Sequence, residues 1–411
     1  MSLIKPFAGL RPVAEQAAEV VAPPYDVMSR TEAKQMVADR PLSFLHISRP
    51  EIDLPDEVSP YAEAVYAQGR DNLQQMQAAG HLAQDPDDYY YVYRLTMGEH
   101  VQTGIVAVAS VAAYNADRIK KHEYTRPVKE QDRVQQINTL NAQTGPVFLV
   151  YPAQARVDGI LTETAQTTAA VDVTADDGVR HQLWVIREAD TLTTLTAAFE
   201  AMPALYVADG HHRSAAAARV AEARQVDQTS GDAPHHYFLS VIFPHDQMQI
   251  LDYNRVIRDL QGLSVDQFLA RIAERFEVQA VATPVKPTET TTFGMYLNQQ
   301  WYRLRLRPAY YSDDPVAGLD ISLLTEHLIE PVLGIEDPRR DERIDFIGGI
   351  RGLTALEQRV DSGEWAVAFA LYPVAMSALM AVADSGAVMP PKSTWFEPKL
   401  ADGLVSHLLG D

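Results

Sequence analysis

The residues best placed to do chemistry form one continuous run, Leu205-Tyr206-Val207-Ala208-Asp209-Gly210-His211-His212-Arg213. An apolar strand there passes through a tight Asp-Gly turn and straight into a helix that continues over Ser214–Arg224. The first four amides of a helix have no intrahelical acceptor, and the helix dipole makes that end positive, so the geometry is ready for an anion. Gly210 lets a ligand approach the backbone, and His211, His212 and Arg213 add side-chain donors. Phosphate is the natural guest. A plainer reading also stands: Asp209 caps the helix while the histidines and Arg213 are solvated. Adjacent helical residues do not face each other, which argues against His211 and His212 as a metal pair.

Three further segments offer chemistry. Lys120-Lys121-His122-Glu123-Tyr124-Thr125-Arg126-Pro127, followed by Lys129, Asp132 and Arg133, is dense in charge of both signs. It suits a small phosphorylated ligand or, equally, a solvated charged loop. It is not a His-Glu-x-x-His zinc motif, because Arg126 holds the fifth place. In Ala22-Pro23-Pro24-Tyr25-Asp26-Val27 two prolines stiffen the backbone and fix the Asp26 carboxylate, which either accepts a proton in catalysis or caps a helix near Ser29–Ala38. Phe44–Glu51 alternates apolar with polar residues, which predicts a strand with His46 and Ser48 on one face and Arg49 on the other or at its end. Near the C-terminus, Met389–Lys399 is proline-rich and aromatic, and its Lys392 and Thr394 either line a pocket or help lock two regions together.

The elements that must position these groups read as mixed α and β. Strands are expected at Tyr89–Leu95, Gly104–Val111, Val147–Tyr151, Gln182–Ile186, Leu205–Ala208, Tyr237–Phe243 and Trp301–Arg307. Helices are expected at Glu63–Ala79, Thr191–Met202, Val265–Phe276 and Ile321–Glu330, the last closing before Pro331. Gln228–Ala233 is the first good loop, and a domain limit is expected close to it, dividing residues 1–235 from 236–411. Trp365–Ala383 lacks charge but is divided by Pro373, so it reads as a buried strand, Ala366–Leu371, and a core helix, Val374–Ala383, rather than a membrane span.

Composition narrows the function classes. The chain of 411 residues has no cysteine, which excludes a thiol nucleophile, a disulfide framework and a thiolate metal site. Its net charge of −20 repels polyanions, and the one basic cluster is interleaved with acids, so nucleic acid is not an expected partner. No apolar run near the N-terminus suits a signal peptide, and a cytoplasmic protein acting on a small molecule, with no membrane partner, is expected. Neither a Walker A motif nor a protein-kinase glycine loop is present.

Taken in order, Ala22–Val27, Phe44–Glu51, His122-Glu123 with Thr125, Asp132-Arg133, Asp209–Arg213, Tyr253-Asn254-Arg255, Asp345–Gly349 and Met389–Lys399 closely resemble the bacterial and archaeal family known as domain of unknown function 1015. Its Asp-Gly-His-His-Arg turn resembles the nucleotide-binding turn of the ParB and sulfiredoxin-like fold, which also houses free-serine kinases. The resemblance implies a ParB/sulfiredoxin-like core elaborated by a second packed α+β region. It also implies transfer of a phosphoryl group from ATP, ADP or pyrophosphate, with Mg²⁺, to a small-molecule hydroxyl, free L-serine giving O-phosphoserine first among them. Asp209, Gly210, His211, His212 and Arg213 would then hold donor phosphates. Asp26 would be the base, where those kinases carry a glutamate, and His46, Arg49, His122, Glu123, Arg126, Arg133, Lys392 and Thr394 would bind substrate or neutralise charge. A non-catalytic nucleotide sensor and a phosphatase or nucleotidase are the alternatives.

Overall fold

The computed structural model of the protein describes residues 2–224 and 232–410, so Gln228 to Gly231 of the expected loop lie outside the described residues. The chain forms two compact units, Met1–Met248 with Pro398–Asp411, and Gln249–Glu397. The limit therefore falls at 248/249, with a return at 397/398, whereas the sequence placed it at 235/236. Tyr237–Pro244 explains the difference, because it is an entirely buried strand that pairs with His100–Ser110 on one side and Val147–Tyr151 on the other.

The first unit is built on a nine-stranded mixed sheet. Its strands run in the order Ile119–Lys120, Leu205–Asp209, Val147–Tyr151, Tyr237–Pro244, His100–Ser110, Tyr90–Met97, Arg180–Ile186 and Val171–Thr174, and Ile4–Lys5 pairs on His100–Ser110 outside that path. Leu205–Asp209 runs parallel to Ile119–Lys120 and antiparallel to Val147–Tyr151, with a register break between Val207 and Asp209. The break is a bulge at Ala208, after which Asp209, the last residue of the strand, still pairs with Phe148 where the chain must turn. Apolar side chains of the central strands pack with Val157, Leu195, Phe199, Ala216, Ala217 and Val220 of the covering helices. The Ala-rich run after Arg213 thus lets the helix His211–Arg224 lie close to the sheet.

A second core holds the N-terminal segment, with Val20, Ala22, Phe44, Leu45, Ile47 and Leu73 buried together. Phe44–Glu51 is not a strand. Leu45–Ser48 is one helical turn and Pro50–Asp53 a 3-10 turn, because Leu45, Ile47 and Ser48 are all buried, as a short turn packed on two sides allows and an exposed strand does not. Pro127–Leu140 is a helix where the sequence suggested a charged loop, with Arg126 as the residue before its first turn and Pro127 at the position where a missing amide is harmless.

The second unit holds a six-stranded sheet, entirely antiparallel, in the order Phe276–Val281, Gln300–Leu306, Thr292–Leu297, Val367–Ala370, Tyr253–Ile257 and Ile344–Gly348. The helix expected over Val265–Phe276 stops at Ala273, and Phe276 opens the edge strand. Ile321–Glu330 is likewise not one plain helix: Asp320–Leu324 is α-helical, Thr325–Ile329 is a π turn, and the helix resumes at Glu330–Leu333 with Pro331 inside it. The wider π turn accommodates a proline that an uninterrupted α-helix would exclude. Val367–Ala370 and Met376–Asp384 fall where the uncharged stretch suggested a strand and a helix. No described helix is long and apolar enough to cross a membrane.

Candidate functional site

At the end of Leu205–Asp209 the backbone turns through Gly210, whose φ of +94° is strained for any residue with a Cβ. The turn is more occupied than four free amides would suggest. The Gly210 amide donates to the Asp209 carboxylate at 2.7 Å, and the Arg213 and Ser214 amides both donate to the Gly210 carbonyl, at 2.9 and 3.0 Å. That leaves the amides of His211 and His212 as the donors of the helix end without an acceptor among the described residues. Asp209 in turn accepts from Lys399 at 3.4 Å. Burial pushes the Asp209 carboxyl up, but Lys399, Arg213 and the Gly210 amide outweigh it and hold it well below the usual carboxylate range.

The Arg213 guanidinium folds back over the turn, so a Cβ on Gly210 would lie 2.9 Å from its Nε. Burial opposes its charge, yet Asp26, Asp209, Tyr25 and Asp402 together raise its pKa above the ordinary value. Those carboxylates surround Arg213, and none closes a hydrogen-bonded ion pair with it among the described residues. Gly145 passes on the other side, where a Cβ would sit 3.4 Å from Arg213 Cδ and 3.6 Å from Asp402 Oδ1. Asp26 is exposed, at the tip of the proline-stiffened segment. Asp402 is buried, with no hydrogen-bond partner on either carboxylate oxygen among the described residues, and burial, against the pull of Arg213, pushes its carboxyl up to about 7. Its backbone is bonded both ways to Ala22, at 2.9 and 3.1 Å, which ties the C-terminal segment to the base of the Pro23-Pro24 turn.

Burial disfavours the charged form of His122, His211 and His212. Burial lowers His122 to about 4, and burial with the neighbouring His122 lowers His211 well below its ordinary value. Burial, then the positive charge of Arg126, lowers His212. The expected charge neutralisation thus falls to the arginines and lysines. His212 Nε2 accepts from the Arg126 amide at 2.9 Å, which leaves Nδ1 as its N–H donor. His122 and His211 meet edge to face at 4.5 Å, and His211 Nδ1 lies 4.0 Å from Glu123. Ligand atoms of His122, Glu123 and His211 fall within 4.8 Å of one another, close enough to share a divalent cation. A weak bond from the His122 amide to His211 Nε2, at 3.5 Å, favours the tautomer with the proton on Nδ1, which works against that use.

Behind Tyr25 lies a cavity of about 140 Å³ whose wall includes Tyr25, Glu51, Tyr66, Lys129, Asp132 and Arg133. Arg133 stacks on the Tyr25 ring at 4.1 Å and bonds Asp132 at 2.7 and 3.0 Å, and Tyr66 donates to the same carboxylate at 2.9 Å. Arg49 also lines it, but its guanidinium is already committed to Glu51 and to the carbonyls of Tyr25 and Met28, all at 2.6 to 2.8 Å, so it holds the Asp26 segment in shape. His46 is bound to Asp53 at 2.7 Å on its one-turn helix, a bond that raises its pKa. Arg49 thus sits in a structural network, while His46 is anchored through Nδ1 and keeps a buried Nε2 with no partner among the described residues.

The structure brings Asp26, Asp209, Gly210, His211, His212, Arg213, His122, Glu123, Arg126 and Arg133 into the first unit. Lys392 and Thr394 belong to the second, where Lys392 extends over the Tyr253 ring, 5.6 Å from its centroid. Sequence reasoning missed Asp402, Lys399 as the partner of Asp209, and Tyr66. Asp402-Gly403 is one of four Asp-Gly pairs in the sequence, so no local signal singled out the first of these.

No curated protein matches the sequence. Among solved structures, a free serine kinase in complex with AMP is 11% identical over 71% of this chain and 86% of that one, with a TM-score of 0.35. A conserved hypothetical protein from Pyrococcus furiosus is 12% identical over 72% and 93%, also at 0.35, and a C-terminally truncated SbnI from Staphylococcus aureus is 10% identical over 73% and 86%, at 0.36. Residues 4–322 match the family described as "Protein of unknown function (DUF1015)", and the chain belongs to that family.

Proposed function

We propose that this protein is a phosphotransferase that moves a phosphoryl group from a nucleotide or pyrophosphate to the hydroxyl of a small molecule, with free L-serine the first acceptor to test. The observation that carries the reading is Arg213: a guanidinium folded over a glycine turn, close to Asp26, Asp209 and Asp402 and beside two helix-terminal amides that have no acceptor among the described residues. Such a group favours an anion that brings more negative charge than its neighbours already supply. Asp209, Gly210, His211, His212 and Arg213 would hold the donor phosphates, with His212 Nδ1–H and the neutral imidazoles contributing hydrogen bonds and Arg126 contributing charge.

Asp26 is the proposed base. It is exposed beside Arg213, and its segment is braced by Pro23, Pro24, Arg49 and the backbone of Asp402. Its carboxylate accepts the proton of the acceptor hydroxyl as the oxygen attacks phosphorus, and the donor leaves with the bond electrons. The charged cavity behind Tyr25 suits an acceptor of a few heavy atoms, and its paired cation and carboxylate suit a zwitterion. Mg²⁺ bound with the donor would neutralise part of the phosphate charge. Asp209 would not hold it, since both of its oxygens have protein partners.

The test is phosphorus NMR of the protein with Mg²⁺ and ATP, ADP or pyrophosphate, with and without L-serine. A phosphomonoester that requires both serine and one donor supports transfer. Inorganic phosphate alone points to hydrolysis, and an unchanged but bound donor points to a sensor.

A further inference from the structure

We propose that the second unit carries its own ligand site, for a small carboxylate on an apolar body, with Arg255 as the residue that meets the carboxylate. Arg255 sits on Tyr253–Ile257, an inner strand flanked by Ile344–Gly348 and Val367–Ala370, and it is only 2% exposed. Its guanidinium donates to the carbonyls of Tyr253 and Lys392 and stacks on Phe346 at 5.2 Å. No carboxylate pairs with it among the described residues. A buried charge satisfied only by carbonyls is costly, and arginine is the side chain whose fork matches a carboxylate.

Arg255 lines a cavity of about 410 Å³, within the size range of small-molecule sites. Ile321, Ile344, Phe346 and Pro391 give it apolar walls, and Ser322 adds a buried hydroxyl with no partner. The π turn Thr325–Ile329 forms part of the same wall, and such turns recur at functional sites. Tyr253–Arg255 and Asp345–Gly349 are sequence motifs that the proposed phosphate site does not use, and Met389–Lys399 reaches that site only through Lys399; all three contribute here, through Arg255, Phe346 and Pro391. Two exposed glutamates, Glu326 and Glu330, also line the cavity and would receive an ammonium group if the ligand is an amino acid.

The test uses the full chain without nucleotide, so its outcome is independent of the phosphoryl-transfer reading. Phenylacetate, L-phenylalanine and phenethylamine are titrated by calorimetry and ligand-observed proton NMR. Saturable binding of phenylacetate or L-phenylalanine, but not of phenethylamine, is expected. The tighter of the two tells a simple carboxylate from an amino acid. Arg255→Met should weaken binding about tenfold or more, the weight of a charge-assisted pair. Ser322→Phe, which fills the cavity from a half-buried position, should abolish binding with an unchanged circular dichroism spectrum, and it decides the matter alone if Arg255→Met does not fold. The proposal is overturned if neither carboxylate binds below about 10 mM, if phenethylamine binds as well as they do, or if Ser322→Phe leaves binding intact.

Discussion

Replacing Gly210 with alanine separates the backbone of the Asp209-Gly210 turn from the cation that covers it. At φ +94° a Cβ costs about 1–2 kcal/mol of backbone strain. The new methyl would also stand 2.9 Å from Arg213 Nε and 3.1 Å from Nη2. These atoms are the far end of a flexible side chain, so the guanidinium moves aside at little cost to folding, but it leaves the place from which it would grip a phosphate. Gly210→Ala should therefore lower stability by about 1–2 kcal/mol in urea unfolding. It should weaken donor binding further, by the about 1.5–3 kcal/mol of a charge-assisted hydrogen bond, or about 10- to 150-fold in Kd. Calorimetric titration of the donor in the four proteins of the cycle Gly210→Ala, Arg213→Ala and the double variant isolates that coupling. In the Arg213→Ala background, Gly210→Ala should change donor affinity far less. Equal losses in both backgrounds, or unchanged affinity in Gly210→Ala, would refute the placement of Arg213 over the donor.

Other expectations follow from the same geometry. Asp26→Asn should cut turnover at least about 100-fold while leaving donor Kd unchanged, read by steady-state kinetics beside calorimetry; a normal rate removes Asp26 from the mechanism. Burial pushes the Asp402 carboxyl up to about 7 from its ordinary 3.8, so the native state holds the extra proton between those values. Stability should then fall as pH rises from about 4 to 7 and level off above. Asp402→Asn should show a smaller loss between pH 5 and 8 in urea melts, and identical profiles would contradict the assignment. His181, buried against Tyr93 and lowered by burial to about 4, acts with the opposite sign: acidification from about 6.5 to 4 should destabilise the fold. In His181→Gln that acid limb should be shallower.

Much of the first unit was legible because its central strands are fully buried and read as continuous apolar runs, as Val147–Tyr151 and Leu205–Asp209 do. The turn at Asp209-Gly210 was legible for a local reason, since Asp-Gly between a strand and a helix leaves few alternatives. Phe44–Glu51 misled because one helical turn is too short to show its period, and burial on two sides imitates alternation. Pro127–Leu140 was hidden by its polarity: it buries Asp132 and Gln136 beside Ile137 and Leu140, and its charges face partners such as Tyr66 and Tyr25 that no local pattern announces. Asp402 could not be foreseen at all, because only the pairing of its backbone with Ala22, across nearly the whole chain, brings it beside Arg213. Pro331 marked a helix end by the usual rule, and the π turn before it removed the need for one.

The most direct test is a crystal structure of the protein with its tightest-binding donor and Mg²⁺. A donor phosphate hydrogen-bonded to the amides of His211 and His212, with the Arg213 guanidinium on it and the Asp26 carboxylate facing the transferable phosphorus, is the expected result. A donor bound elsewhere, with the Gly210 turn empty and Arg213 still folded against its carboxylates, would contradict the phosphoryl-transfer reading.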